Sequence, residues 1–200
     1  MDGLVSAAKS STKVASPKRD HLMATAAKLF YRDGYHAVGI DTLLAEAEVA
    51  KMTLYNHFDS KEALIVAVLE KRSAAFISNV RASIAAAGRS PVRQLEAVFD
   101  GLHRLFADDE FKGCAFIRAL GEFPEPDHSI HRTAWRHKLA VRALLAEVAA
   151  SADAKNPAAF AETVGMLIDG AIVAAHATGQ TEPAETARTA AISLLKMAGG

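Results

Sequence analysis

Between Lys51 and Lys61 the chain reads KMTLYNHFDSK. Leu54 and Phe58 are four residues apart, so on a helix they share one face and can pack inward. The same winding leaves Lys51, Met52, Thr53, Tyr55, Asn56 and His57 pointing out. A lysine can donate to guanine, and an asparagine can pair with adenine through both its donor and its acceptor. Threonine, tyrosine and histidine can donate to phosphate oxygens. A short helix carrying that mixture fits the major groove of double-stranded DNA.

The elements around this stretch have the punctuation to hold it. Ser16-Pro17 reads as a helix start, a serine cap followed by proline at the first helical position. Leu22, Ala26, Leu29 and Phe30 follow at helical spacing, and Asp33-Gly34 ends the run. A second short helix is predicted over Ile40–Ala47, with Leu43, Leu44 and Ala47 inward. Glu48-Val49-Ala50 is a tight connection to the third helix, Lys51–His57. Asp59-Ser60 caps a long fourth helix with the stripe Leu64, Ile65, Val68, Leu69, Phe76, Val80 and Ile84. It is expected to end near Gly88. Further helices are expected over Val92–Ala107, from a cap at Asp127 to about Ala150, from Pro157 to Gly179 and from Pro183 onward. The stretch holding Gly113, Gly121, Pro124 and Pro126 reads as broken. No strand-like alternation is visible, and the fold class is all-α.

The whole chain has 200 residues, half of them apolar, with a formal net charge of zero. Residues 1–60 hold seven basic and seven acidic residues, so any DNA binding must depend on where charges sit. Residues 1–16 read as a flexible tail. Lys9, Lys13, Lys18 and Arg19 give this end a basic bias, suited to following phosphates or merely to solvation. The one cysteine, Cys114, excludes a disulfide within the chain and suits a reducing cytoplasm. It reads as a small buried side chain, or as a thiol activated by the nearby Lys112. His128 and His131 beside Asp127 lack a second ligand pair, so no metal site is expected. No cofactor motif is present. The most apolar stretch, Gly165–Gly179, is shorter than a membrane span and carries Asp169 and His176. A phosphate loop, a nucleophile elbow, HExxH and CxxC are all missing from the sequence, so an enzyme would need a site assembled from distant residues. A helical adaptor using residues 17–60 for protein contacts is a further alternative.

The run GYHAVGIDTLLAEAEVAKMTLYNHFDSKEAL, Gly34–Leu64, resembles the helix-turn-helix of the TetR family of transcriptional regulators, and the similarity extends over roughly residues 18–70. The resemblance implies an N-terminal three-helix DNA-binding domain over residues 17–60. A C-terminal helical ligand-binding and dimerisation domain would follow over 61–200, joined by the helix from about 60 to 87. By position, Lys51, Met52 and Asn56 resemble base-facing residues. Thr53, Tyr55 and His57 resemble phosphate- or base-contacting ones, and Lys61 a phosphate anchor. The resemblance further implies a homodimer paired through residues 156–198, a pseudo-palindromic operator, and a repressor released by a small molecule. Candidate pocket residues are Phe99, His103, Phe106, Phe116, Trp135, Met166 and His176. Two departures stand out. Glu48 sits where the family commonly has glycine, which implies strain if the turn needs positive φ. Asp41 stands where relatives carry a polar or basic contact, and serves the dipole of the second helix better than a phosphate.

Overall fold

A computed structural model describes residues 16–199. These residues form nine helices and no strand: α1 (Pro17–Asp33), α2 (Ile40–Glu46), α3 (Lys51–His57), α4 (Lys61–Ala86), α5 (Pro91–Phe106), α6 (Ala115–Glu122), α7 (Ser129–Ala150), α8 (Pro157–Thr178) and α9 (Glu182–Ala198). Of the expected tail, Ser16 alone is described; Lys9 and Lys13 lie outside the described residues.

The caps explain most of the helix starts. Ser16, Ser60, Ser90 and Asn156 each accept a hydrogen bond from the backbone N–H three residues on. Three of them are followed by proline at the start of the helix. The start of α7 differs from expectation. His128, not Asp127, is its cap, with Nδ1 accepting from the Ile130 N–H. The stretch read as broken also contains a helix, α6, held between Gly113 and Phe123. Its glycine and proline neighbours mask eight residues whose inner face, Ala115, Phe116 and Ala119, is buried.

Two apolar cores result. The first joins α1–α3 and the start of α4 to α6 and the start of α7, so Leu22, Phe30, Leu54 and Leu64 share one core with Phe116, Phe123 and Ile130. The second lies among α5, α7, α8 and α9. Helix α8 has 22 residues and an 18-residue window with a mean hydropathy of 1.6, enough by length and composition to cross a membrane. That exceeds the apolar run legible in the sequence. Its place is inside the bundle, with Phe160, Val164, Ile168 and Ile172 buried against α7 and α9.

The turn between α2 and α3 carries the strain its sequence implies. Glu48 has φ +51, one of two described non-glycine residues in the left-handed region. Its N–H bonds to Ala45 O at 3.2 Å and the Val49 N–H to Leu44 O at 3.1 Å, the paired bonds that close a helix through a left-handed residue. His21 Nε2 donates to Ala47 O at 3.1 Å and ties the turn to α1. Glycine would adopt the same backbone without a Cβ clash, which costs about 1–2 kcal/mol for other residues. It also adds back roughly 0.5–1 kcal/mol of unfolded-state entropy. Glu48→Gly is therefore expected to stabilise the protein by about 0.5–1 kcal/mol, a melting temperature about 1–4 °C higher. Thermal unfolding checks this, and an unchanged or lower midpoint means the turn is unstrained.

Candidate nucleic-acid interface and interior cavity

Helix α3 is anchored by its apolar side. Leu54 is fully buried and Phe58 nearly so, with the Arg19 guanidinium 5.0 Å above the Phe58 ring. The seven candidate contact residues then divide into two groups. Lys51, Met52, Tyr55 and Asn56 are exposed, Met52 by 68%. Thr53, His57 and Lys61 are half-buried. His57 Nε2 shares a hydrogen bond with Ser16 Oγ at 3.3 Å, which fixes the end of α3 to the cap of α1. Lys61 Nζ lies 3.5 Å from His36 O, a long contact that leaves the ammonium near the protein surface. The exposed set thus mixes one cation, one amide, one phenol and one thioether on a rigid, seven-residue helix. Asp41 lies exposed in the first turn of α2, where its charge meets the positive end of the helix dipole.

Sequence reading missed the groups that lock this head onto the rest of the chain. The Glu122 carboxylate, at the end of α6, accepts from the backbone N–H of Tyr35 at 3.1 Å and of His36 at 2.7 Å. Gly34 makes room for it: with φ +97, a side chain is strained there, and a Cβ would lie 2.9 Å from Glu122 Oε1. Tyr35 is buried and its hydroxyl donates to Ala115 O at 3.0 Å; burial pushes its pKa upward. Tyr31 OH donates to Gly113 O and accepts from the Lys112 N–H, while Arg118 donates to Tyr31 O at 2.9 Å. Every partner lies 80 or more residues away along the chain. No local pattern announces them.

Behind the head, a cavity of about 410 Å³ opens among α4, α5, α6, α7 and α8. Phe76, Val98, Leu105, Phe116 and Ile172 supply apolar wall. Of the seven candidate pocket residues, Phe116 alone lines it. Phe99 and His103 border a separate hollow of about 290 Å³ between α5 and α9. Phe106 belongs to the second core and packs on Phe111, ring centres 5.2 Å apart. His176 is exposed, its ring edge-on to Phe111. Trp135 and Met166 lie outside, 43% and 57% exposed. Residue type suggested them, but α5 turns Phe99 and Phe106 toward its neighbours in the core and α7 turns Trp135 to solvent.

The polar end of the cavity is built from α7 and α8. Lys138 is 7% exposed, and its Nζ donates to Asp169 Oδ1 at 2.5 Å and to Cys114 Sγ at 3.7 Å. Cys114 is half-buried at the start of α6, and the cation beside it is Lys138, not Lys112. His128 and His131 are taken up by the α7 start, His131 Nδ1 donating to Phe123 O at 2.8 Å.

His137 stacks on Phe116, ring centres 3.5 Å apart, and shares a hydrogen bond with Ser73 Oγ at 2.9 Å. Burial first, then the positive charges of Lys138 and Arg72, lower its pKa to about 3. An unfolded histidine titrates near 6.5. Between these values the unfolded chain binds a proton that the folded chain excludes. This contribution to stability is therefore complete above pH 6.5 and is lost as pH falls towards 3. From pH 7 to pH 5 the loss is about 2 kcal/mol. Urea unfolding at the two pH values should show it, and His137→Gln should remove that part of the slope. An equal slope in the variant assigns it to other groups.

Residues 22–68 match the family model described as bacterial regulatory proteins, tetR family. A solved TetR-family transcriptional regulator from Streptomyces coelicolor is 32% identical, with a TM-score of 0.81, over 92% of this chain and 96% of that one. The chain belongs to the TetR family. Curated helix-turn-helix transcriptional regulators match as well. The transcriptional activator FasR of Mycolicibacterium smegmatis is 39% identical over 67 residues, covering 34% of this chain and 31% of FasR. The transcriptional repressor DhaR of a Mycobacterium species is 33% identical over 84 residues, covering 42% of each chain. These alignments span less than half of either relative and speak for the helix-turn-helix. The Streptomyces match extends the TetR fold over 92% of this chain. As a TetR-family member the chain is an all-helical transcriptional regulator with a helix-turn-helix head.

Proposed function

We propose that this regulator is a homodimeric repressor that holds a pseudo-palindromic operator and lets it go when a small molecule enters the cavity. The observation that carries the reading is α3: its inner face is fixed by Leu54 and Phe58, and its outer face offers Lys51, Met52, Tyr55 and Asn56 to a groove. Residues 17–60 form the reading head, and residues 61–200 the regulatory and pairing part. Lys51, Met52 and Asn56 meet base edges. Thr53, Tyr55 and His57 reach phosphates or base edges, and Lys61 holds a phosphate where α4 begins. The similarity to DhaR, a transcriptional repressor, supports repression. The protein acts in the cytoplasm, where the DNA is, and carries no catalytic chemistry of its own.

Pairing through residues 156–198 is supported by apolar side chains left in water. On α8, Met166 and Val173 are 57% and 55% exposed and lie two turns apart, with Gly170 between them. On α9, Met197 is exposed as well. A twofold axis would set each such stripe against its copy. Val173→Glu places a charge in that contact. It is expected to convert the dimer to monomer at micromolar concentration by sedimentation while the melting of each chain persists. A stable dimer of this variant removes Val173 from the interface.

Selection of genomic fragments by the purified protein tests the whole reading. A short inverted repeat should be recovered, bound roughly a thousandfold or more above random DNA. Transcription from the neighbouring promoter should fall when the protein is added. A pool without a common motif refutes the operator; a rise in transcription refutes repression.

A further inference from the structure

We infer that the cavity takes an anionic amphipath, an apolar body ending in a carboxylate, and that Arg142 and Arg104 hold the charged end. The inference rests on the reading of the cavity as an effector site and names the class of effector. Charge in the wall is one-sided. Among the described residues, Arg72, Arg104, Lys138 and Arg142 line the cavity with Asp169 as the sole carboxylate, and Asp169 is already paired with Lys138. The buried His137 adds no negative charge. Arg72, Arg104 and Arg142 make no ion pair among the described residues. Arg142 Nε is buried with no hydrogen-bond partner among the described residues. A buried N–H without an acceptor is unfavourable, and a carboxylate is the acceptor that a guanidinium fits best. The apolar remainder of the wall then takes the body of the ligand, in a volume typical of small-molecule sites.

The same arrangement couples the cavity to the head. Arg72, on α4, places its guanidinium 4.4 Å above the ring of Tyr31, on α1. Tyr31 in turn is bonded to Gly113 and Lys112, next to the cavity wall. An anion in the cavity competes with the Tyr31 ring for Arg72, and so acts on the α1–α4 contact that sets the angle of the head.

The chain has one tryptophan, Trp135, and the Arg142 guanidinium lies 4.9 Å above its ring. Its fluorescence therefore reports on Arg142. The test titrates the full-length protein, without DNA, with decanoate and 2-naphthoate, and with the alcohol and amine of the same two bodies. At least one carboxylate should bind tenfold or more tighter than its alcohol and its amine, with a change in Trp135 emission. Arg142→Gln should reduce that preference to threefold or less. Arg104→Gln, on the exposed side of α5, gives a second reading if Arg142→Gln fails to fold. Equal or tighter binding of the alcohols or amines overturns the inference, as does no binding of either acid at millimolar concentration. A retained preference in both variants also overturns it. Adding operator DNA separates the two levels. Carboxylate binding without DNA release leaves the ligand class standing and counts against the repressor reading.

Discussion

Asn56→Ala is expected to weaken operator binding by roughly 30-fold to 20,000-fold without changing the fold. A good two-bond contact between asparagine and adenine is worth about 1–3 kcal/mol of discrimination. A dimer makes that contact once in each half-site, so the loss is about 2–6 kcal/mol, and each 1.4 kcal/mol is tenfold. The side chain is exposed on α3 and has no partner within the described protein that its removal would strand. Surface changes of this kind usually stay within about 0.5 kcal/mol of stability, and alanine is the better helix former. Affinity by fluorescence anisotropy on the recovered operator, beside sedimentation and melting, isolates the contact. Selectivity should relax at one base pair per half-site, while the dependence on salt stays as it was, because no charge is lost. Unaltered affinity and selectivity would mean that α3 presents a different edge to DNA. His57→Ala is a poorer test, since it also breaks the link to Ser16.

The head was largely legible because its signals are local. Serine caps, the proline after Ser16 and the four-residue spacing of Leu54 and Phe58 act within one or two turns of helix, and α3 spans the residues the pattern predicts. Glu48 was legible through the family resemblance instead: a non-glycine residue where glycine is common, in a turn that closes through positive φ. The division of α3 into exposed and half-buried residues was not. Periodicity put His57 and Thr53 outside, but His57 meets Ser16, 41 residues earlier, and only the packing of α1 on α3 shows that.

The cavity was hidden for a different reason. Its wall draws single faces from five helices, and no one of them carries a pattern that says where the others stop. Choosing aromatic residues selected side chains that fill the cores, such as Phe99 and Phe106, because large apolar groups serve packing first. The charged wall residues carry no sequence signal that sets them apart from solvated helix surface. Lys138 looks like any helix-surface lysine until Asp169, 31 residues on, is brought against it. The clamp from Glu122 to Tyr35 and His36 escaped notice likewise, since it joins a helix masked by glycines to a loop 86 residues away.

The second large effect follows from that buried pair. Asp169→Leu is expected to destabilise the protein by about 3 kcal/mol, the lower end of what breaking a buried ion pair costs. The lower end applies because the Lys138 side chain is 8% exposed but that of Asp169 is 33% exposed, so water partly replaces the lost carboxylate. Cys114 Sγ, 3.7 Å away, is too weak an acceptor to take its place. The melting temperature should fall by about 6–12 °C for a chain of this size. Lys138→Met in the same chain should restore most of the loss, since two apolar side chains leave no stranded charge. Urea unfolding of the two single variants and the double variant measures the coupling, and strictly additive losses would mean that the pair contributes nothing as a pair. The double variant also bears on the cavity. It removes one positive and one negative charge together, so Arg72, Arg104 and Arg142 remain in excess and the preference for a carboxylate should survive. A double variant that folds but treats acid and alcohol alike would place the anion at Lys138, and would make the pair part of the ligand's recognition as well as part of the wall.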